Sequence, residues 1–304
     1  MRGCIADKYL LCPDCYGRIT SVGDHYICRS CNREFFIENN VHLFLPKSLE
    51  KSKLAEDEII KLAEKYTLYD IIDKKIDAIR SFVNQILNNY EFFGRILELG
   101  CGTAYISALI KNKNSSAEVY ALDVSPNYLM LAQKISRILF NSEIDYFIAA
   151  DAERLPFRNE HFDFVISSAM IHHLPNPDRA IKEVARVLKR GGTFIGIAEP
   201  IVHPVPFKIA SIFYPHLRKA ARKFRERQER LGVMERIFDY KEFNNYFRHF
   251  DEYRLSFTLN GRFENIPLTS LVVHKIKKFP LTKNLLMRFL PMFDVNVLAR
   301  KSKK

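Results

Sequence analysis

Two sets of residues in this chain have types and spacings that could do chemistry. The first is Cys12-Pro-Asp-Cys15 and Cys28-Arg-Ser-Cys31, two CxxC knuckles twelve residues apart. Each knuckle aims two thiolates at one point, and two together complete a tetrahedron, so a structural Zn2+ is expected on Cys12, Cys15, Cys28 and Cys31. The second set begins with Glu98-x-Gly100-x-Gly102-x-Ala104 and continues through Asp123, Asp151-Ala152, Ser167, His172-His173 and Glu199. Glycines let a backbone approach a ligand closely and take up positive φ, which is what a nucleotide-type site requires.

These residues need elements to position them, and the pattern around them supplies a regular alternation. Ile96, Leu97 and Leu99 read as a buried parallel strand that breaks at Gly100 and Gly102 before a helix through Ile106, Leu109 and Ile110. Val119–Asp123 is a second strand, ending in a carboxylate about 20 residues past the glycines, and Pro126 opens the next helix. Tyr146–Ala150, Phe162–Ile166 and Thr193–Ile197 follow as strands, each ending beside a polar candidate: Asp151, Ser167 and Glu199. Asp178–Lys189 reads as helix, with Gly191-Gly192 as a break. The fold class is therefore α/β, a doubly wound sheet with ligands at the carboxyl ends of its strands.

A dinucleotide fingerprint needs a small residue at the position of Tyr105, so that reading is weakened. The glycine stretch instead resembles motif I of the class I S-adenosylmethionine (SAM) methyltransferases, with Ala104 replacing the usual third glycine. The resemblance extends over about Phe92 to Glu199. It implies that Asp123 holds the SAM ribose and that Asp151-Ala152 recognises the adenine. The glycine turn, with Glu98 behind it and Ser167 beside it, accommodates the methionine part. His172 and His173 shape the pocket floor or serve as a base. Glu199 becomes a candidate for substrate contact.

With 304 residues, 47% hydrophobic and 27% charged, the chain is long enough for two domains and a sizeable core. The expected organisation is a zinc ribbon over 1–46, a charged helical linker or lid over 47–91, and a methyltransferase domain over 92–304. That last domain divides into a core at 92–200 and an insertion-rich part at 201–304. The ribbon resembles the small methyltransferase-activating zinc-ribbon proteins and the ribbon of rRNA guanine-N1 methyltransferases, although the latter use three cysteines and a histidine. Tyr66 and Tyr69 lie where the family often places a lid, or else pack as ordinary core aromatics. Glu252–Leu259 and Asp294–Ala299 alternate like sixth and seventh strands, the last antiparallel, which would complete a seven-stranded Rossmann-like sheet.

Charge is uneven. The last 104 residues hold 22 Lys and Arg against 9 Asp and Glu, a net +13 where the whole chain carries +12. Arg218 to Arg230 form a basic stretch, with Phe224, Tyr246 and Phe247 available to stack a base. The reading drawn from this is methyl transfer to RNA, an rRNA or tRNA base. Two alternatives stay open: a small, quinone, lipid or sugar-linked acceptor, reached at an anionic membrane surface, and a SAM-binding scaffold or activator without turnover. No apolar run approaches the ~20 residues of a membrane span, and no signal-peptide core precedes Cys12, so a cytoplasmic setting is expected. The oligomeric state is not legible.

Overall fold

The computed structural model describes residues 5, 9–49, 83–84, 87–202, 238–258 and 292–302. The helices expected over 47–91, with Tyr66 and Tyr69, fall outside this set except at 47–49, 83–84 and 87–91. The basic stretch from Arg218 to Arg230, with Phe224, also falls outside it.

The chain opens with a small antiparallel sheet, β1 (Ile19–Val22), β2 (His25–Cys28) and β3 (Glu34–Phe35). Next come β4 (Ile37–Glu38) and β5 (Val41–Leu43), then β6 (Arg95–Leu99), α1 (Tyr105–Lys113), β7 (Glu118–Asp123) and α2 (Pro126–Phe140). They are followed by β8 (Tyr146–Ala149), β9 (Phe162–Ser168), α3 (Pro177–Val187) and β10 (Leu188–Val202). The described chain ends with β11 (Phe238–Asp239), α4 (Tyr240–Tyr246), β12 (Glu252–Thr258) and β13 (Met292–Arg300).

The main sheet runs in the order β12-β13-β10-β9-β6-β7-β8-β5-β4, with β11 beside β10. Its middle is parallel, while β13 is antiparallel to both β10 and β12. The seven strands expected from the sequence are therefore present, including the antiparallel one. At the far edge β5 pairs in parallel with β8, Leu43 opposite Ala149, so a segment read as the end of the ribbon extends the main sheet. Strand β10 is also longer than expected. It starts at Leu188 and passes through Gly191-Gly192, with a register shift between Leu188 and Thr193 absorbing the glycines.

Alternation along the central strands sends side chains to two cores. Ile96, Val119, Ala121, Phe147 and Ile166 pack under α1 and α2. Leu97, Tyr120, Leu122, Ile148 and Val165 pack on the other face with α3 and α4. That second core also contains Leu10, Cys12, Ile19, Tyr26, Phe35 and Phe44, so the cysteine-bearing segment shares the sheet's hydrophobic core. Phe44 lies 5.0 Å from the Tyr26 ring and 5.3 Å from Phe35. Burying each such aromatic is worth about 2 kcal/mol.

Two histidines are enclosed in this core. His42 meets the Tyr26 hydroxyl at 2.7 Å through Nδ1. His161 sits between Tyr9, Phe157 and Phe162, its Nε2 buried without a partner among the described residues. Burial pushes the His42 imidazole down to about 4. His161 falls to about 3, through burial first and then the positive charges of Arg95 and Lys189. Unfolded histidine protonates near 6.5, so between that value and about pH 4 the unfolded chain holds protons that the native chain does not. Both groups thus contribute stability above pH 6.5 that is lost as pH falls. Burial raises Glu98 to about 7, so over the same window it acts in the opposite direction. Replacing His161 with Phe should flatten the acid limb by one proton, about 1.4 kcal/mol per pH unit between about pH 4 and 6. Urea titrations over that range test this, and an unchanged slope would contradict it.

Candidate cofactor crevice and cysteine cluster

The crevice is built where β6 turns into α1. Gly100 has φ +61, and a Cβ there would lie 2.2 Å from Cγ of Met170, so the position excludes a side chain on both counts. Gly102, at φ +50, faces open space, with nothing within 4 Å of where a Cβ would stand. Ala104 is the N-cap of α1 at φ 52 and ψ 32 and offers no side-chain cap. The missing acceptor comes from the preceding strand: Glu98 Oε2 accepts from Ser107 N at 2.8 Å and from Ser107 Oγ at 2.5 Å. Ser107 is the third helical residue, whose N–H has no partner inside the helix. Glu98 is 3% exposed and shapes the turn from behind.

At the end of β7, Asp123 Oδ2 accepts from Gly102 N at 2.9 Å and Oδ1 from Ser125 N at 3.0 Å. The backbone is also joined there: Cys101 N donates to Leu122 O and Ala150 N to Asp123 O. Asp151, one residue past Ala150, receives Glu153 N at 2.9 Å on Oδ1. Ala152 is buried beside it. At the end of β9 the hydroxyls of Ser167 and Ser168 are buried without a partner among the described residues. Open space at Gly102 and unmet hydroxyls at the strand ends fit a polar ligand lying across this edge.

Glu199 stands elsewhere than at the mouth. A bulge between Gly196 and Glu199, with Ala198 at φ +57, turns β10 at this point, and Asn296 Oδ1 accepts the Ala198 N–H at 2.9 Å. Glu199 is thereby fully buried. Its Oε1 accepts from Met170 N and Ile171 N at 2.9 Å, and its Oε2 faces His172 N at 3.2 Å and His172 Nδ1 at 2.9 Å. Glu199 is expected at the mouth of the crevice; the structure turns its carboxylate under the 170–172 turn, where it meets His172. His172 and His173 lie on a 3-10 turn, Ile171–His173, with ring centroids 4.0 Å apart. Ser107 and Asn296 were missed in the sequence. The third-residue position of Ser107 in its helix was the one available signal.

The four cysteine sulfurs lie within 4.8 Å of one another. Cys12 Sγ is 3.8 Å from Cys31 Sγ, and Cys15 Sγ is 3.5 Å from Cys28 Sγ. Tetrahedral bonds of about 2.3 Å put sulfurs about 3.8 Å apart, so the donor set fits one zinc-sized ion. Gly17 N and Ser30 N donate to Cys15 and Cys28 at 3.4 Å, as expected for turns that present thiolates.

Residues 97–196 match the methyltransferase domain family model. An uncharacterized chloroplastic methyltransferase of Arabidopsis thaliana is 25% identical over 244 residues, 69% of this chain and 65% of its own length. A demethylmenaquinone methyltransferase of Leptospira interrogans is 29% identical over 157 residues, covering 50% of this chain and 63% of its own. The chain thus spans slightly under two thirds of these relatives. The structure of Haemonchus contortus phosphoethanolamine N-methyltransferase 2 in complex with S-adenosyl-L-methionine has the same fold. It aligns at TM-score 0.54 and 16% identity, over 85% of this chain and 61% of that one. Among the described residues no helix is long and apolar enough to cross a membrane. The matched domain and the strand order agree: residues 97–196 carry a methyltransferase domain, set in a sheet of the class I Rossmann-like methyltransferase fold.

Proposed function

We propose that the chain binds SAM along the carboxyl edge of β6, β7, β8 and β9 and transfers its methyl group to an acceptor, in a cytoplasmic setting. The observation carrying this is the pair of carboxylates, Asp123 and Asp151, at the ends of two adjacent strands on one side of an open glycine turn. A carboxylate accepts about four hydrogen bonds, so the backbone bonds at Asp123 are compatible with ribose hydroxyls. Asp151-Ala152 would take the adenine, and Ser167 and the glycine turn the methionine part. The sulfonium delivers its methyl to an in-line nucleophile, so the protein's contribution is mainly positioning. His172, oriented by Glu199, is the candidate to receive a proton from an acceptor that must lose one.

For the acceptor, a quinone- or lipid-type molecule is the first reading. It is supported by the likeness to a demethylmenaquinone methyltransferase. The sharing of the sheet core by the cysteine segment also gives that segment a role without nucleic acid. The second reading is RNA, supported by the net +13 of residues 201–304. For the ribbon we propose one structural Zn2+ on Cys12, Cys15, Cys28 and Cys31. We propose the divisions at 46 and 91 as boundaries in sequence, with β5 of the first segment paired to β8 of the main sheet.

Three outcomes are expected. Calorimetry should show SAM binding, weakened by about 1–3 kcal/mol in Asp123→Ala through unpaired polar contacts; binding of NAD in place of SAM would overturn the reading. Elemental analysis should find one zinc per chain, lost in the Cys12→Ser/Cys28→Ser variant; full retention would show that the ion sits elsewhere. With labelled SAM, a short-chain demethylmenaquinol and total lipid extract should take up methyl while total RNA does not. Label in RNA, with binding that falls by about 0.7 log unit per log unit of salt for each phosphate contact, would favour the second reading. Binding with no label anywhere would favour the scaffold.

A further inference from the structure

The loop that would hold the adenine, residues 150–156, is tied at both ends to the cysteine segment. At its entrance Phe44 N donates to Ala149 O at 2.7 Å, directly after β5 pairs with β8. At its exit Leu11 N donates to Pro156 O at 3.0 Å, Leu10 bridges Phe157, and Arg158 N donates to Tyr9 O at 3.0 Å. Both ties lead back to the knuckles within a few residues. Leu11 immediately precedes Cys12, whose N–H donates to Gly17 O at 2.9 Å. On the other side Asp14, between Cys12 and Cys15, accepts the Lys47 N–H at 2.9 Å and pairs with Arg33, which donates to Leu45 O at 2.7 Å. Asp14 therefore joins the first knuckle to 45–47, immediately after Phe44.

From this geometry we infer that the cysteine knuckles set the shape of the adenine subsite, with Asp14 as the positioning residue that links them to it. The inference rests on the SAM and zinc readings proposed above. A tetrahedral ion would fix the distance between the two knuckles, and with it the spacing of Leu11 and Phe44, the points that hold the loop from the knuckle side. Without the ion the loop keeps its ties to the end of β7, where Ala150 N donates to Asp123 O, and to the α3 side, where Asn176 N donates to Glu153 Oε1, Leu155 N to Glu183 Oε2 and Arg186 to Leu155 O. These hold the loop from the β7 and α3 sides, and Phe44 and Leu11 hold its two ends from the knuckle side. The segment is thus part of the cofactor site although none of its side chains is proposed to touch the cofactor.

S-Adenosylhomocysteine, which cannot react, is the probe. Calorimetry on the full chain compares the zinc-loaded protein, the protein after chelation, and zinc-loaded Asp14→Ala. Chelation should weaken binding at least tenfold. Asp14→Ala should keep one zinc per chain and bind about fivefold more weakly, with faster amide exchange at Glu153 and Arg154 than in wild type and unchanged exchange at Val119. If far-UV circular dichroism shows that chelation unfolds the chain, the Asp14→Ala result decides alone. Wild-type affinity in Asp14→Ala, or in a folded chelated protein, overturns the inference. A zinc-loaded wild type that binds no S-adenosylhomocysteine overturns the cofactor reading itself, and this inference with it.

Discussion

The two hydrogen bonds from Ser107 to Glu98 are the contact on which the site depends. A helix beginning at Ala104 exposes its first N–H groups with no side chain of its own to meet them. Glu98, one residue before the end of β6, supplies the acceptor from inside the core. That fixes where α1 starts and therefore how the glycine turn between strand and helix is drawn. Burial, opposed by the Ser107 donors and reinforced by the Asp123 charge, holds the Glu98 carboxyl near 7. The chain keeps a desolvated acid here because a removed partner would leave a buried N–H and hydroxyl unmet.

From that contact the edge of the sheet follows in steps. The turn set by Glu98 presents Gly102 N to Asp123, and the strand end of Asp123 accepts Ala150 N, which places Asp151. Two strands away the same device is repeated with a different acid. Glu199 gathers three backbone N–H groups and one imidazole, so the 170–173 turn is folded around a buried carboxylate. Each acid works on the backbone of a neighbouring loop, and the crevice is the space these loops leave. Strain is stored at the same places, with Ala104, Ala169 and Ala198 all at positive φ next to strand ends.

Much of this was legible in the sequence because it is local. Ile96 to Leu99, Val119 to Asp123 and Phe162 to Ile166 declare themselves as buried strands by short apolar runs, and Gly100, Asp123 and Ser167 at their ends are the residues proposed for the ligand edge. The cysteine spacing likewise reports a local turn, and the four sulfurs do converge. What failed to show depends on pairing between distant segments. Val41–Leu43 looks like the tail of a small ribbon, and only its register with Phe147–Ala149 makes it a strand of the main sheet. Glu199 looks like a strand-end residue facing the ligand, but a bulge and the left-handed Ala198 turn it under the 170–172 loop. Gly191-Gly192 looks like a break, whereas β10 absorbs it as an irregularity.

The central claim is that SAM lies across the ends of β6, β7 and β8 with its ribose on Asp123 and its adenine at Asp151. A crystal structure of the full chain with S-adenosylhomocysteine tests it most directly. The account predicts ribose hydroxyls within about 2.6–3.2 Å of the Asp123 carboxylate, the adenine amino group at the same range from Asp151, and the homocysteine part over Gly100 and Gly102. A ligand bound away from these strand ends, or one whose ribose leaves Asp123 untouched, would contradict it.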